Sequence, residues 1–270
     1  VFARTTIDPS GEVPRSEGSS AHAVATPHDV VIIGAGPVGA LAAYAFARSG
    51  ARVALIEANP NATARLAGEW IHPPGVGVLD RLRAGRLEEG GARVGYGFAV
   101  LPDDGSSPIE LPYPGGVVAL ACEHRAIVAS LRERALGLPG VTYVAGRTLA
   151  ITEHGVIVED VRSGSRQEVR AHRIVGADGR SSLTARYLGA REGELQSYMA
   201  AVELHGVELP REGFGNVVLG GPGPALLYRL DDDRVRACLD VPIALGNAAR
   251  TPQFLWDGYA PSFPPALRAS

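Results

Sequence analysis

An α/β fold, in which a parallel-sheet unit is interleaved with a mainly antiparallel sheet, is predicted by three observations. Between His28 and Glu57 an apolar run, a glycine-rich corner, a helical stretch and a second apolar run ending in an acid follow one another. Alternating apolar positions then occur at Ala92–Val100, with further extended segments from Tyr198 onward, the pattern of half-buried antiparallel strands. Between those stretches the chain returns to helical spacing, so the first unit is discontinuous in sequence.

Asp29–Ile33 suits a buried parallel strand, and Gly34-Ala35-Gly36-Pro37-Val38-Gly39 follows it as GxGxxG. Gly34 permits the tight turn, Gly36 lets a pyrophosphate approach the backbone, and Gly39 lets the next helix pack closely. The N-terminal N–H groups of that helix, Pro37 to Ser49, then face the phosphates. Val30 to Ala47 has no charged residue, but its glycines and Pro37 leave too short a helix to span a bilayer. Val53–Ile56 is the second strand. Glu57, about twenty residues past the glycines, is placed to accept both hydroxyls of a ribose and to repel a 2′-phosphate, which favours FAD or NAD over NADP.

Pro74 to Arg83 reads as a helix opening at a proline, with Val76, Val78, Leu79 and Leu82 on its apolar face. Antiparallel strands follow on either side of a turn at Asp103-Asp104-Gly105, ending at Ile109–Leu111. Glu123 to Leu136 is helical through Ile127, Leu131 and Ala135. Strands are expected at Val141–Val144, Val156–Val161, Gln167–Val169 and Arg173–Gly176, and Gly176-Ala-Asp178-Gly179 then precedes a short helix, Leu183 to Leu188. The later extended segments are Val202–Val207, Val217–Leu219, Ala225–Leu230 and Val235–Leu239. The expected division is a disordered leader at 1–27, a dinucleotide-binding domain at 28–90 and 115–192, a substrate domain at 91–114 and 193–250, and a curtailed helical segment at 251–270.

With 270 residues and 46% hydrophobic content the chain can bury a sizeable core. A net charge of −3 gives no basic excess, which argues against a nucleic-acid partner. Cys122 and Cys238 lack the spacing of a metal site or a disulfide framework, so no metal is expected and a reducing cytoplasm fits.

The Asp178-Gly179 pair behind a strand, together with the glycine fingerprint, resembles the FAD-dependent monooxygenases of the para-hydroxybenzoate hydroxylase fold. Within them the chain is most similar to squalene epoxidases (squalene monooxygenases), through Arg65–Gly75, Ile109–Pro114, Glu123–Val128, and Pro224–Tyr228 with Val235–Pro242. The resemblance implies a Rossmann-like FAD-binding domain. Gly34 to Gly39, including Ala35, Pro37 and Val38, would meet the diphosphate, Glu57 and Ala58 the ribose, and Asp178 and Gly179 the diphosphate again. It also implies that Arg65 and Arg125 contact the flavin or its diphosphate, that Glu69 and Val144 contact the cofactor, and that Tyr113 lies beside the isoalloxazine with His72 near it.

Three departures stand out. Ala58 occupies the place of a basic residue, His72 replaces a glutamine that family members set near the tyrosine, and the Gly-Asp-Ala third motif is absent before Ser270. We therefore expect a piece of a longer protein, without the family's C-terminal membrane helices and compatible with peripheral membrane contact. The implied activity is epoxidation or hydroxylation of a lipophilic alkene, terpenoid or aromatic with one oxygen from O2, through a flavin hydroperoxide. NAD(P)H or a separate reductase would donate electrons. A flavin-dependent isoprenoid reductase and a non-catalytic FAD-binding module remain alternatives, whereas a halogenase would require a lysine and the chain contains none.

Overall fold

A computed structural model describes residues 26–59, 69–85, 87–190, 193–246, 251–264 and 267. In chain order its first strands are β1 (His28–Ile33), β2 (Val53–Glu57), β3 (Trp70–Ile71), β4 (Arg93–Gly95), β5 (Gly97–Leu101), β6 (Ile109–Pro112) and β7 (Ala119–Ala121). They continue as β8 (Val141–Ile151), β9 (Gly155–Asp160), β10 (Arg166–Gly176), β11 (Ser197–His205), β12 (Phe214–Val218), β13 (Ala225–Arg229) and β14 (Arg234–Pro242). The helices are α1 (Pro37–Arg48), α2 (Pro73–Leu82), α3 (His124–Leu136), α4 (Leu183–Tyr187) and α5 (Pro252–Tyr259).

β10, β1, β2 and β8 lie side by side and parallel, with their apolar residues buried between α1 on one face and β9 on the other. β8 and β10 are longer than the sequence suggests. The former runs on past Val144 and the latter joins Gln167–Val169 to Arg173–Gly176, because their outer halves pair antiparallel with β9 while their inner halves stay in the parallel sheet. The five strands thus close on themselves. From β1 the chain moves one way to β2 and β8 and later returns on the opposite side at β10. A crevice opens at such a reversal, beyond the carboxyl ends of the strands.

The second sheet has the order β11-β14-β13-β12-β5-β6 and is antiparallel except for β12 beside β5. One face packs on α5 through Leu227, Leu239, Tyr259 and Phe263. β6 is an edge whose four residues are all exposed. The expected strand at Ala92–Val100 divides at Tyr96: β4 joins β3 and β7 in a separate three-stranded sheet, and β5 enters the large one. The indole of Trp70 lies over Gly95, where a Cβ would sit 2.3 Å from the ring, and this seat holds β4 against β3's sheet.

Candidate functional site: a dinucleotide cleft and an adjoining aromatic cluster

A cavity of about 720 Å³ opens at the carboxyl ends of β1, β2 and β10. Gly34, Gly36, Pro37, Val38, Glu57, Ala58, Asp178 and Gly179 all line it, so the three sequence signals converge on one place. The fingerprint glycines divide their work. Gly34 has φ +95°, and a Cβ there would lie 2.4 Å from the Ala177 carbonyl oxygen; one on Gly39 would lie 1.8 Å from the Gly34 carbonyl oxygen. Gly36 has open space where its side chain would be, on the cleft side. Gly36 also caps α1, whose first N–H groups lack partners within the helix.

Glu57 Oε2 accepts from the Ala35 N–H at 2.9 Å and from Arg132 Nη2 at 3.2 Å, while Oε1 accepts from the Asn59 N–H at 2.9 Å. With two lone pairs per oxygen, one acceptor site on Oε1 remains among the described residues. That site can take a ribose hydroxyl. Arg132, 13% exposed, also donates from Nε to the Ala35 carbonyl at 2.5 Å. It brings to the acid the positive charge that Ala58 does not supply, and it offsets the repulsion Glu57 alone would exert on a 2′-phosphate. A dipole end, an open glycine and a partly available acid are what a flavin dinucleotide's diphosphate and ribose require, so these residues fit the group.

Asp178 faces the cleft and also holds the start of α4, accepting from the Ser182 hydroxyl at 2.6 Å and the Thr184 N–H at 3.2 Å. Burial opposes its charge, but the Ser182 and backbone hydrogen bonds prevail and hold its carboxyl below the usual range.

Glu69, expected at the cofactor, is elsewhere. It is fully buried, and its carboxylate takes Arg236 Nε at 2.7 Å and Nη2 at 3.1 Å, with the Tyr228 hydroxyl at 3.2 Å. Its Oε1 also lies 3.4 Å from the His124 N–H at the start of α3, and its carbonyl accepts the Cys122 N–H. A buried guanidinium draws a carboxylate out of solvent because neither could be buried unpaired. Burial alone would lower the Arg236 pKa, but Glu69, with Glu203 at 3.2 Å, outweighs it and raises it; burial also pushes the Tyr228 phenol well up. The pair clasps β3 and the α3 entry to β14.

Two other residues expected at the cofactor lie beside the cleft. Arg125, next to the cleft-lining His124 in the first turn of α3, is 64% exposed and bonds Glu123 at 2.9 Å. Val144 sits on the inner half of β8 against the Val31 and Ile56 core. Farther along β8, Gly146 to Leu149 line the cleft. Arg65 lies outside the described residues.

His72 and Tyr113 are brought together, though neither lines the cleft. The Tyr113 hydroxyl is 3.0 Å from His72 Nδ1 and accepts from Trp70 Nε1 at 3.2 Å. Phe98 braces this group, its ring centroid 5.7 Å from Trp70, 5.8 Å from His72 and 6.0 Å from Tyr113. Tyr113 is fixed by the bond from its N–H to the Tyr96 carbonyl, at the crossover between the two sheets. The histidine, where family members set a glutamine, therefore bonds to this tyrosine.

Sequence reasoning missed Arg132 and Arg236. His124, Val128 and Arg132 recur every fourth residue and share the cleft-facing side of α3, a spacing that contained the signal. For Arg236 the signal was a charge inside the apolar run of β14.

The FAD binding domain family matches residues 27–257. Squalene monooxygenase of Mus musculus is 27% identical over 256 residues, covering 91% of this chain and 44% of that protein. Squalene epoxidase erg1 of Aspergillus fumigatus is 32% identical over 235 residues, covering 82% and 48%. The chain thus spans less than half the length of these curated relatives. Among solved structures, p-nitrophenol 4-monooxygenase PnpA from Pseudomonas putida DLL-E4 is similar with a TM-score of 0.71 at 20% identity, covering 89% of this chain and 64% of that one. The flavin-dependent brominase Bmp2 triple mutant reaches 0.75 at 17% identity, covering 90% and 64%. At these identities the structures show the shared fold.

Proposed function

The chain belongs to the FAD binding domain family, and from that premise we propose that it serves an FAD-dependent monooxygenase acting on a lipophilic alkene, terpenoid or aromatic. The observation that carries this reading is the meeting of Gly36, Glu57 and Asp178 around one cleft at the strand ends. When bound and reduced, FAD supplies the activation of O2 and the transfer of one oxygen atom. The α1 N-terminus and Gly36 receive the diphosphate, and Glu57, set by Arg132, receives the ribose. Trp70, Phe98 and Tyr113 offer an aromatic wall that excludes water, and His72 with Tyr113 supplies the polar groups on it. Relatives whose names carry squalene favour an alkene and epoxidation.

We assign residues 28–90 and 115–192 to cofactor binding and 91–114 with 193–250 to the substrate side, in keeping with the two large sheets. NAD(P)H or a partner reductase is the proposed electron donor. No helix among the described residues is long and apolar enough to cross a membrane. The proposed location is the cytoplasm, with peripheral membrane contact through which a lipophilic substrate would arrive.

The test uses the full-length protein with FAD and an electron donor, following oxygen consumption and product mass together. A product heavier by one oxygen atom is expected. A product that has gained hydrogen instead would make the protein a reductase, and tight FAD binding without turnover would make it a binding module.

A further inference from the structure

We infer that Trp70 fixes the direction of the Tyr113–His72 hydrogen bond, so that neutral His72 carries its proton on Nε2 and presents an N–H donor away from the tyrosine. Indole Nε1 donates and never accepts, so its 3.2 Å contact makes the Tyr113 oxygen an acceptor. The remaining contact of that hydroxyl is His72 Nδ1 at 3.0 Å. The Tyr113 proton has this one partner among the described residues, so it is donated to Nδ1, and Nδ1 must be unprotonated. In the neutral ring the proton then resides on Nε2.

The arrangement is braced against reversal. Phe98 touches the rings of Trp70, His72 and Tyr113, and the Trp70 ring is pinned over Gly95. The Tyr113 backbone is tied to Tyr96. Turning the bond around would give Tyr113 two incoming donors and leave its own proton without a protein acceptor among the described residues. His72 itself is exposed, so its Nε2–H is available to an acceptor oxygen. Trp70 is therefore a positioning residue that acts through Tyr113. The ligand chemistry it selects is a carbonyl, hydroxyl or other acceptor oxygen rather than a donor. That this oxygen belongs to the substrate or cofactor rests on the proposed function; the direction of the bond does not.

The tautomer is read by NMR on the full-length protein carrying isotope-labelled histidine, above the range in which histidine titrates, with His72→Gln identifying the signal. The Nε2–H pattern is expected for His72 in the unaltered protein. Trp70→Phe removes the directing donor, and an increased fraction of Nδ1–H is expected. Tyr113→Phe, which removes the lock from the other side, is expected to do the same and serves if Trp70→Phe does not fold. An Nδ1–H pattern in the unaltered protein overturns the inference, as does an unchanged pattern in the folded variants. Product assays on His72→Gln and His72→Leu complete the test. The amide of glutamine can accept from Tyr113 with its oxygen and donate with its nitrogen, so it should retain most turnover where leucine does not. The expected tautomer in a protein that transfers no oxygen would leave the inference standing and the monooxygenase reading overturned.

Discussion

Glu57 and Glu69 are separated by twelve positions and meet opposite fates. Glu57 ends β2 at the rim of the cleft, its side chain 16% exposed, held by two backbone N–H groups and Arg132 with an acceptor site to spare. Glu69 is fully buried, its oxygens occupied by Arg236, Tyr228 and the His124 N–H. A carboxylate that keeps spare capacity at a surface can serve a ligand, whereas one saturated in the interior serves the fold. Both were expected at the cofactor, and what separates them is the partner each finds.

The largest expected effect follows from breaking the buried pair. Arg236→Leu should cost about 3–5 kcal/mol in denaturant unfolding, because the Glu69 charge stays buried, and Glu69→Leu should cost less, because Arg236 keeps Glu203 at 3.2 Å. The double variant should lose clearly less than the sum of the two. Additive losses would show that the two residues are not one unit. Next comes the cleft. Gly36→Val should markedly lower FAD affinity with little change in melting temperature, since a Cβ there meets no protein atom and lies at the cleft. Gly39→Val should instead fail to fold stably. Unaltered FAD titration of Gly36→Val would sink the placement of the diphosphate.

Smaller again, Arg132→Ala should weaken FAD binding by about tenfold, as expected for one charge-assisted contact, with Glu57→Ala similar and neither altering product identity. Asp178 supplies a pH effect of defined sign. Its folded pKa is depressed, so its stabilisation is present above the ordinary carboxylate range and is lost as pH falls through the depressed value. Asp178→Asn should flatten that acid limb in melting temperature against pH, and an unchanged limb would assign it to other groups. At the bottom of the scale, Arg125→Ala should change stability by no more than about 0.5 kcal/mol, because Arg125 itself is largely exposed and Glu123 keeps Arg234.

How much of this could be read beforehand follows the same contrast. Gly34, Gly36, Gly39 and Glu57 fall within 24 consecutive residues, and each signal is local: a turn, a helix start, a strand end. The helices and most strands were legible for that reason. Glu69 and Arg236 lie 167 positions apart, and nothing near either one names the other. The merging of Gln167–Val169 with Arg173–Gly176 into β10 was hidden because two different neighbours pair with its two halves. The split at Tyr96 was hidden because Trp70, on a distant segment, seats β4. His72 beside Tyr113 came from the resemblance, and the structure brings the pair together with Trp70 as a third member.

The exposed edge strand β6 bears on self-association. A free strand edge carrying Ile109 and Leu111, more than half exposed, offers a template for another chain to extend the sheet. Here Pro108, Pro112 and Pro114 remove amide donors along and beside that edge, and Glu110, paired with Arg211, sets charge in its middle. The greasy strand at the margin of the sheet is thereby kept from recruiting copies of itself, and apolar surface can remain there without becoming a seed for fibres.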